Sequence, residues 1–234
     1  LKALTLAEHR IARIEGLDAL GALETLSLPE NRITRIEGLE KVTKLRQLNL
    51  FGNAITKIEA LFKLRDLEEL ELGRNKIGRI QGLRHLGELR VLGLRGNAIT
   101  EIEGLERLSK LERLHLDGNR VEVITGLGRL RRLRELHLSG NRIERVRGID
   151  LLLSLERLWL SDNEITTVAA DLDRSVARLG KLSHIQLWRN PLGPREVERL
   201  KKRSPRWAKR GTRVEYSVRR PRASASAGAG DSRD

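Results

Sequence analysis

Leu45-Arg46-Gln47-Leu48-Asn49-Leu50-Phe51-Gly52-Asn53-Ala54-Ile55 carries the pattern that decides this fold. Leu48 and Leu50 alternate with polar residues, the period of a strand with one face buried. Leu45 precedes them by three positions, and Asn53 and Ile55 follow. The same frame returns as Leu89-Leu92-Leu94-Asn97-Ile99. Asn31, Asn53, Asn75, Asn97, Asn119, Asn141 and Asn163 recur every 22 residues, and Asn190 ends the series after a longer spacer. A strict period of this length is the signature of a solenoid. It places function on the surface that the repeats line up, not in a local motif.

The repeats begin at Leu1, Leu23, Leu45, Leu67, Leu89, Leu111, Leu133, Leu155 and Leu182. After each strand comes an apolar pair spaced by three, such as Ile33/Ile36 or Ile77/Ile80, then a Gly-Leu step such as Gly38-Leu39 or Gly82-Leu83. This half is too short for a long helix and is predicted to be a turn with a short 3₁₀ or irregular segment. One repeat cannot fold alone. Its buried side chains yield roughly 1.5–3 kcal/mol each, against backbone ordering of about 1–2 kcal/mol per residue. Neighbours on both sides must cover it, and the strands then form one continuous parallel sheet. The asparagines are read as a buried structural ladder whose amides bond backbone groups left unpaired by the turn.

A second regularity concerns charge. The residue after each leading leucine alternates in sign: Lys2, Glu24, Arg46, Glu68, Arg90, Glu112, Arg134, Glu156. Equivalent positions on adjacent strands lie about 4.8 Å apart, where opposite charges help and like charges hurt. The alternation is read as support for stacking and register.

The signature Ile11-Ile14-Glu15-Gly16-Leu17, repeated at Ile33-Ile36-Glu37-Gly38-Leu39 and Ile99-Ile102-Glu103-Gly104-Leu105, resembles the 22-residue leucine-rich repeat of the regulatory-subunit type. That subclass is best known from a nuclear regulator of type-one protein phosphatase, and bacterial adhesins of the internalin type use the same repeat length. The resemblance covers roughly residues 1–193 and is specific for the repeat subclass. It implies an α/β architecture: a right-handed leucine-rich-repeat solenoid with a curved parallel β-sheet on the concave face and short 3₁₀ or irregular segments on the convex face. It also implies a phosphatase catalytic subunit, or a cytoskeletal or signalling protein, as partner. His9 replaces the asparagine in the first repeat, as in a terminal repeat.

The 234 residues contain no cysteine, so a reducing compartment is expected, cytoplasmic or, in a eukaryote, nuclear. No apolar run is long enough for a membrane span. The chain lacks methionine and Leu1 opens inside the repeat pattern, which reads as a fragment or processed chain. A monomer, or part of a larger protein, is expected, with the uncovered edge of the first repeat as the place where a second copy would pair. The bias towards Arg, Leu, Ala and Gly suggests a GC-rich, bacterial genome.

Three segments are predicted: the solenoid at 1–193, a basic C-terminal cap at 194–222, and a disordered Ala/Ser/Gly-rich tail at 223–234. In the long eighth repeat, Leu172, Val176 and Leu179 mark a helix over 170–179. Pro194 opens a second helix running to about Arg203, with Val197 and Leu200 facing the last repeat. Trp207, Val214, Tyr216 and Val218 complete the cap, and Asn190-Pro191-Leu192 matches the step that precedes the cap in the resembled family.

The net charge is +14, with the excess strongest near the end, at Lys201, Lys202, Arg203, Arg206, Lys209, Arg210, Arg213, Arg219, Arg220 and Arg222. The first six are candidate contacts to nucleic acid or another anionic surface.

Strand residues flanking the buried leucines point onto the concave face. One outward column reads Thr5, Ser27, Asn49, Glu71, Gly93, His115, His137, Trp159, Gln186. The next reads Ala7, Pro29, Phe51, Gly73, Arg95, Asp117, Ser139, Ser161, Trp188. The preceding column ends Arg113, Glu135, Arg157, His184. Two of the three tryptophans fall at outward positions, with Arg and His nearby, the composition of a binding hot spot. The partner site is therefore placed on the concave face of repeats five to nine: Trp159, Trp188, His137, His115, Arg113, Arg157, Glu135, Asp117 and Arg95, with Phe51 outlying. In the competing reading Trp159 and Trp188 pack on each other or on the cap and merely seal the stack. A metal or acid–base site at His115, His137, Asp117 and Glu135 is the lesser alternative to a polar binding surface. No catalytic residue, metal or cofactor is assigned, because neither a nucleophile–base spacing nor a Gly-rich phosphate loop is present. The expected function is a non-enzymatic protein-interaction scaffold. The alternatives are anion or nucleic-acid binding through the basic C-terminus, and an adhesin-type surface role.

Overall fold

A computed structural model of the chain describes residues 1–217; the predicted tail, together with Val218, Arg219, Arg220 and Arg222, lies outside the described residues. Each repeat contributes one three-residue strand: β1 (Ala3–Thr5), β2 (Thr25–Ser27), β3 (Gln47–Asn49), β4 (Glu69–Glu71), β5 (Val91–Gly93), β6 (Arg113–His115), β7 (Glu135–His137), β8 (Arg157–Trp159) and β9 (His184–Gln186). Helix α1 (Ala169–Arg178) lies between β8 and β9, and α2 (Pro194–Ala208) precedes a final strand, β10 (Arg213–Glu215). The strands form one ten-stranded parallel sheet in chain order. Register follows the repeat without slip, Leu48 opposite Leu26 and Leu70. A one-residue slip would turn every leucine outward.

Leucines and isoleucines from all turns form a single core from Ile14 to Trp207. The asparagines tie it to the backbone. Asn53 Nδ2 donates to the carbonyls of Leu28 (3.0 Å) and Leu50 (3.1 Å), and its Oδ1 accepts from Ile33 N–H at 2.9 Å. Each amide thus bridges two repeats through backbone groups, and the asparagines do not bond one another. The geometry recurs through Asn190, whose Nδ2 donates to Leu160 O and Leu187 O and whose Oδ1 accepts from Ile165 N–H.

Of the two forms expected for the convex and connecting segments, 3₁₀ or irregular, the chain takes the irregular one. Among the described residues these segments are isolated turns, closed by bonds such as Leu64 N–H to Leu61 O (3.0 Å) and Leu67 N–H to Leu64 O (3.2 Å). The residues between donate no such bond, so each turn ends where the next buried leucine must face inward. The Gly-Leu step has a steric cause. Gly82 has φ 72°, and a Cβ there would lie 2.4 Å from the Ile58 carbonyl oxygen of the repeat before. In the third repeat Ala60 occupies the same place at φ 58°.

Helix α1 starts where expected, but Val168 cannot cap it. Glu196 does so from α2: its Oε1 accepts Val168 N–H at 2.7 Å and Ala169 N–H at 2.6 Å. Helix α2 runs five residues past the predicted end at Arg203. Pro205 disfavours helix at the residue before it, yet it lies on the exposed side and removes only one backbone donor. Continuing to Ala208 buries Trp207, whose Nε1 donates to Asp173 at 2.9 Å. The cap is continuous with the solenoid, since β10 pairs with β9 in the same sheet.

The alternating charges close pairwise: Lys2–Glu24 at 3.0 Å, Arg46–Glu68 and Arg90–Glu112 both at 2.7 Å, Arg134–Glu156 at 2.9 Å. Arg90 also reaches back to Glu68 at 3.7 Å. Such exposed pairs are screened by solvent and contribute little stability, so they tune register more than they stabilise.

Candidate functional site

Parallel register places His115, His137 and Trp159 side by side, because each occupies the last position of its strand. Their rings stack face to face, with centroids 4.3 Å apart for His115–His137 and 3.7 Å for His137–Trp159. His184, from the preceding column, leans on Trp159 at 6.3 Å. Arg157 stands 6.0 Å from the Trp159 ring centre. Glu135 receives Arg157 in a close ion pair and lies 3.7 Å from His137 Nε2. Asp117 Oδ2 is 3.9 Å from His137 Nδ1, while its Oδ1 accepts the Ser139 N–H at 3.0 Å. The Nε2 atoms of His115 and His137 are shielded from solvent and have no hydrogen-bond partner.

The electrostatics follow from this packing. Burial, then the neighbouring His115, pushes His137 below its ordinary pKa, against opposing pulls from Asp117 and Glu135. The packing thus favours the neutral form of the His137 ring. Burial would push Glu135 up, but Arg157 and His137 outweigh it and hold the carboxyl below its usual range.

The remaining predicted residues divide. Phe51 and Arg95 form a second cluster, with the guanidinium of Arg95 4.9 Å and that of Arg74 5.5 Å from the Phe51 ring centre. Gly73 makes this possible: a Cβ there would lie 3.0 Å from both Phe51 Cδ2 and Arg95 Cγ. The Glu71 carboxylate fills the neighbouring gap above Gly93, where a Cβ would meet it at 2.1 Å, and accepts Gly73 N–H at 2.6 Å. Trp188 stands apart, 44% exposed, and among the described residues it stacks on no aromatic ring. Trp159 and Trp188 therefore do not seal the stack by packing together. Arg113 is exposed beside Glu135. Among the C-terminal cations, Lys201 pairs with Glu198 at 2.8 Å and Arg203 with Asp173 at 2.5 Å, whereas Lys202, Arg206, Lys209 and Arg210 are exposed.

Glu71, Arg74 and His184 join these clusters without having been singled out from sequence. A glycine between two large residues of one column, as in Phe51-Gly73-Arg95, was the available signal for the second cluster. A shallow depression over β2–β5, lined by Thr25, Gln47, Asn49, Glu69 and Glu71, contains no aromatic ring.

His115, Asp117 and His137 are the one group among the described residues with donor atoms close enough to hold a metal, all within 4.8 Å of one another. The two imidazoles stack with planes only 19° apart. Lone pairs lying in nearly parallel planes do not converge on one ion, so this arrangement fits flat contact surfaces better than ligation.

The family model for Leucine Rich repeats (2 copies) matches residues 22–61, 43–85 and 131–174. No curated protein matches the chain in sequence. Among solved structures, internalin C2 of Listeria monocytogenes is 28% identical, with a TM-score of 0.72 over 85% of this chain and 82% of that one. A leucine-rich-repeat protein of Leptospira interrogans is 24% identical, with a TM-score of 0.72 over 92% of this chain and 60% of that one. A chain from the octameric complex of latrophilin 3, Unc5D and the leucine-rich repeats of FLRT2 is 22% identical, with a TM-score of 0.76 over 92% and 69%. The last two, at those identities, carry the fold alone.

Proposed function

We propose that this chain, a leucine-rich-repeat protein, is a non-enzymatic interaction scaffold that binds a folded protein on the concave face of β6–β9. One observation carries the reading. On a sheet whose other polar groups are largely self-satisfied, the His115–His137–Trp159 stack keeps two shielded ring nitrogens without partners. Each such group costs about 1–3 kcal/mol. A purely structural stack would use apolar rings and avoid that cost, whereas half-exposed flat rings flanked by Arg157 at outward positions have the composition of a recognition surface. The rigid sheet also lowers the ordering cost of binding. The repeat's resemblance to the phosphatase regulatory subclass makes a phosphatase catalytic subunit one partner to test, in a cytoplasmic or nuclear setting.

The test is affinity capture from nuclease-treated lysate of the source cell, comparing the wild-type chain with a folded Trp159→Ala/His137→Ala variant. A protein held by the wild type and lost by the variant, at both low and high salt, is expected. Identical capture profiles would remove the concave site. Salt-sensitive capture abolished by Lys202→Glu/Arg206→Glu would transfer function to the basic C-terminus.

A further inference from the structure

Between each Gly-Leu step and the next strand, the chain makes two consecutive turns, at 62–63 and 65–66 in the third repeat and at equivalent places in its neighbours. Stacking brings these double turns together. A Cβ added to Gly128 would lie 3.3 Å from Leu151 Cδ1 of the next repeat, and one added to Gly21 would lie 3.9 Å from the Lys41 carbonyl oxygen. The double turns therefore form a ridge along the solenoid, outside the concave face.

One position of the ridge, followed down the stack, is occupied by Lys41, Lys63, His85, Arg107, Arg129 and Leu151, all exposed. Arg65 and Arg131 stand two positions further along their turns and are exposed as well. Glu40, Asp66 and Glu106 share these turns, yet none of the six Lys and Arg residues named makes an ion pair among the described residues. Two other sets of columns treat charge differently. The column from Lys2 to Glu156 alternates and closes pairwise, and Arg13–Glu37, Arg35–Glu59 and Arg79–Glu103 pair between repeats elsewhere. Like charges at repeat spacing repel; the ridge row is left unneutralised, as is the exposed row Arg10, Arg32, Lys76, Arg120 and Arg142, and of the two the ridge alone also carries large exposed apolar side chains.

A second observation narrows the counterpart. Among the described residues, three of the six large apolar side chains left exposed, Phe62 (52%), Leu151 (55%) and Leu153 (53%), sit on these same double turns, the others being Leu1, Val123 and Trp188. Phe62 adjoins Lys63, and Leu151 continues the basic row. A nucleic-acid backbone rewards the cations and gains nothing from leucine. A lipid surface rewards both, cations at anionic headgroups and apolar side chains in the boundary beneath them. We propose that the ridge docks on the surface of an anionic bilayer, with Phe62, Leu151 and Leu153 entering the headgroup–acyl boundary. The proposed contact is peripheral, made by side chains of surface turns; among the described residues no helix is long and apolar enough to cross a membrane. The contact leaves the concave face open to a protein partner.

Flotation of the whole chain with phosphatidylcholine vesicles, with and without phosphatidylserine, tests this. Binding is expected only with phosphatidylserine, and salt weakens it. Each cation near an anionic surface contributes about fivefold, so Lys63→Glu/Arg107→Glu/Arg129→Glu lowers vesicle affinity by about a hundredfold or more. Phe62→Ser/Leu151→Ser/Leu153→Ser lowers it by about tenfold or more while leaving all cations in place. Lys202→Glu/Arg206→Glu on α2 leaves it unchanged. The substituted ridge side chains are exposed, and unchanged melting temperatures certify the fold. Absence of binding to phosphatidylserine vesicles overturns the proposal, as does full binding by either ridge variant. Tighter binding to a short DNA duplex than to vesicles, lost in the charge variant but kept in the apolar one, would assign the ridge to nucleic acid instead.

Discussion

Replacing Asn119 by alanine removes three well-formed bonds from the middle of the stack. Its Nδ2 donates to Leu94 O and Leu116 O, both at 3.0 Å, and its Oδ1 accepts from Ile99 N–H at 3.0 Å. Asn119 is 7% exposed and Ile99 is fully buried, so water cannot take over these roles. Three bonds at a net 0.5–1.5 kcal/mol, with an orphaned Ile99 N–H, amount to about 3–5 kcal/mol. Asn31 makes comparable bonds to His9 N–H, Ile11 N–H, Leu6 O and Pro29 O, but at the half-exposed start of the stack. Solvent replaces much of what Asn31→Ala loses there, and its cost falls to about 1 kcal/mol. Urea unfolding followed by tryptophan fluorescence measures both. Equal costs for the two variants, or an Asn119→Ala cost near 1 kcal/mol, would show that the amides do not hold the repeats together.

Gly82→Ala drives a Cβ onto the Ile58 carbonyl and is expected to cost about 2–3 kcal/mol, whereas Ala60→Gly relieves a left-handed alanine and adds about 1 kcal/mol in thermal melts. Glu196→Gln weakens the cap on α1 by about 1.5–3 kcal/mol at neutral pH. Burial pushes this carboxyl up, but the Val168 and Ala169 N–H groups and Arg199 outweigh it and hold its pKa below the ordinary value. Its stabilising contribution is therefore complete above the unfolded pKa and disappears as pH falls through the lower folded one, so urea midpoints of wild type and variant should converge in acid. Arg134→Ala, which breaks one exposed pair with Glu156, is expected to leave the urea midpoint almost unchanged, and a clear loss would mean the charge column acts as a network. His137→Phe preserves the stack and removes an unpartnered nitrogen, so it should leave stability level or up to about 1 kcal/mol higher while weakening partner capture; a clear destabilisation would mark that nitrogen as satisfied.

Periodicity made most of this molecule legible in advance. Leu48 and Leu50 announced a strand, and the repeat fixed which side chains would be neighbours, so His115, His137 and Trp159 could be placed in one column before any coordinates. What periodicity could not supply was contact between unlike positions. Glu196 reaches α1 across a spacer of irregular length, and no repeat frame predicts that meeting. Glu71 folds over Gly93 because a side chain is missing there, an effect of space and not of pattern. Helix α2 runs past the expected end near Arg203 because continuing to Ala208 buries Trp207, a contact that Val197 and Leu200, on which the expectation rested, do not announce. Sequence left the convex segments open between 3₁₀ helix and irregular turns because leucines spaced by three fit both, and only the hydrogen bonds distinguish them.

The alternating column also constrains how such a protein can change length. Its closest pairs are Lys2–Glu24, Arg46–Glu68, Arg90–Glu112 and Arg134–Glu156, so charge repeats every second turn although leucine repeats every turn. Excising one turn, for example residues 89–110, would set Glu68 against Glu112 and confront like with like. Excising two restores the match. In its electrostatics the solenoid is a polymer of dimers, and duplication or trimming of this chain should be tolerated best in even numbers of repeats.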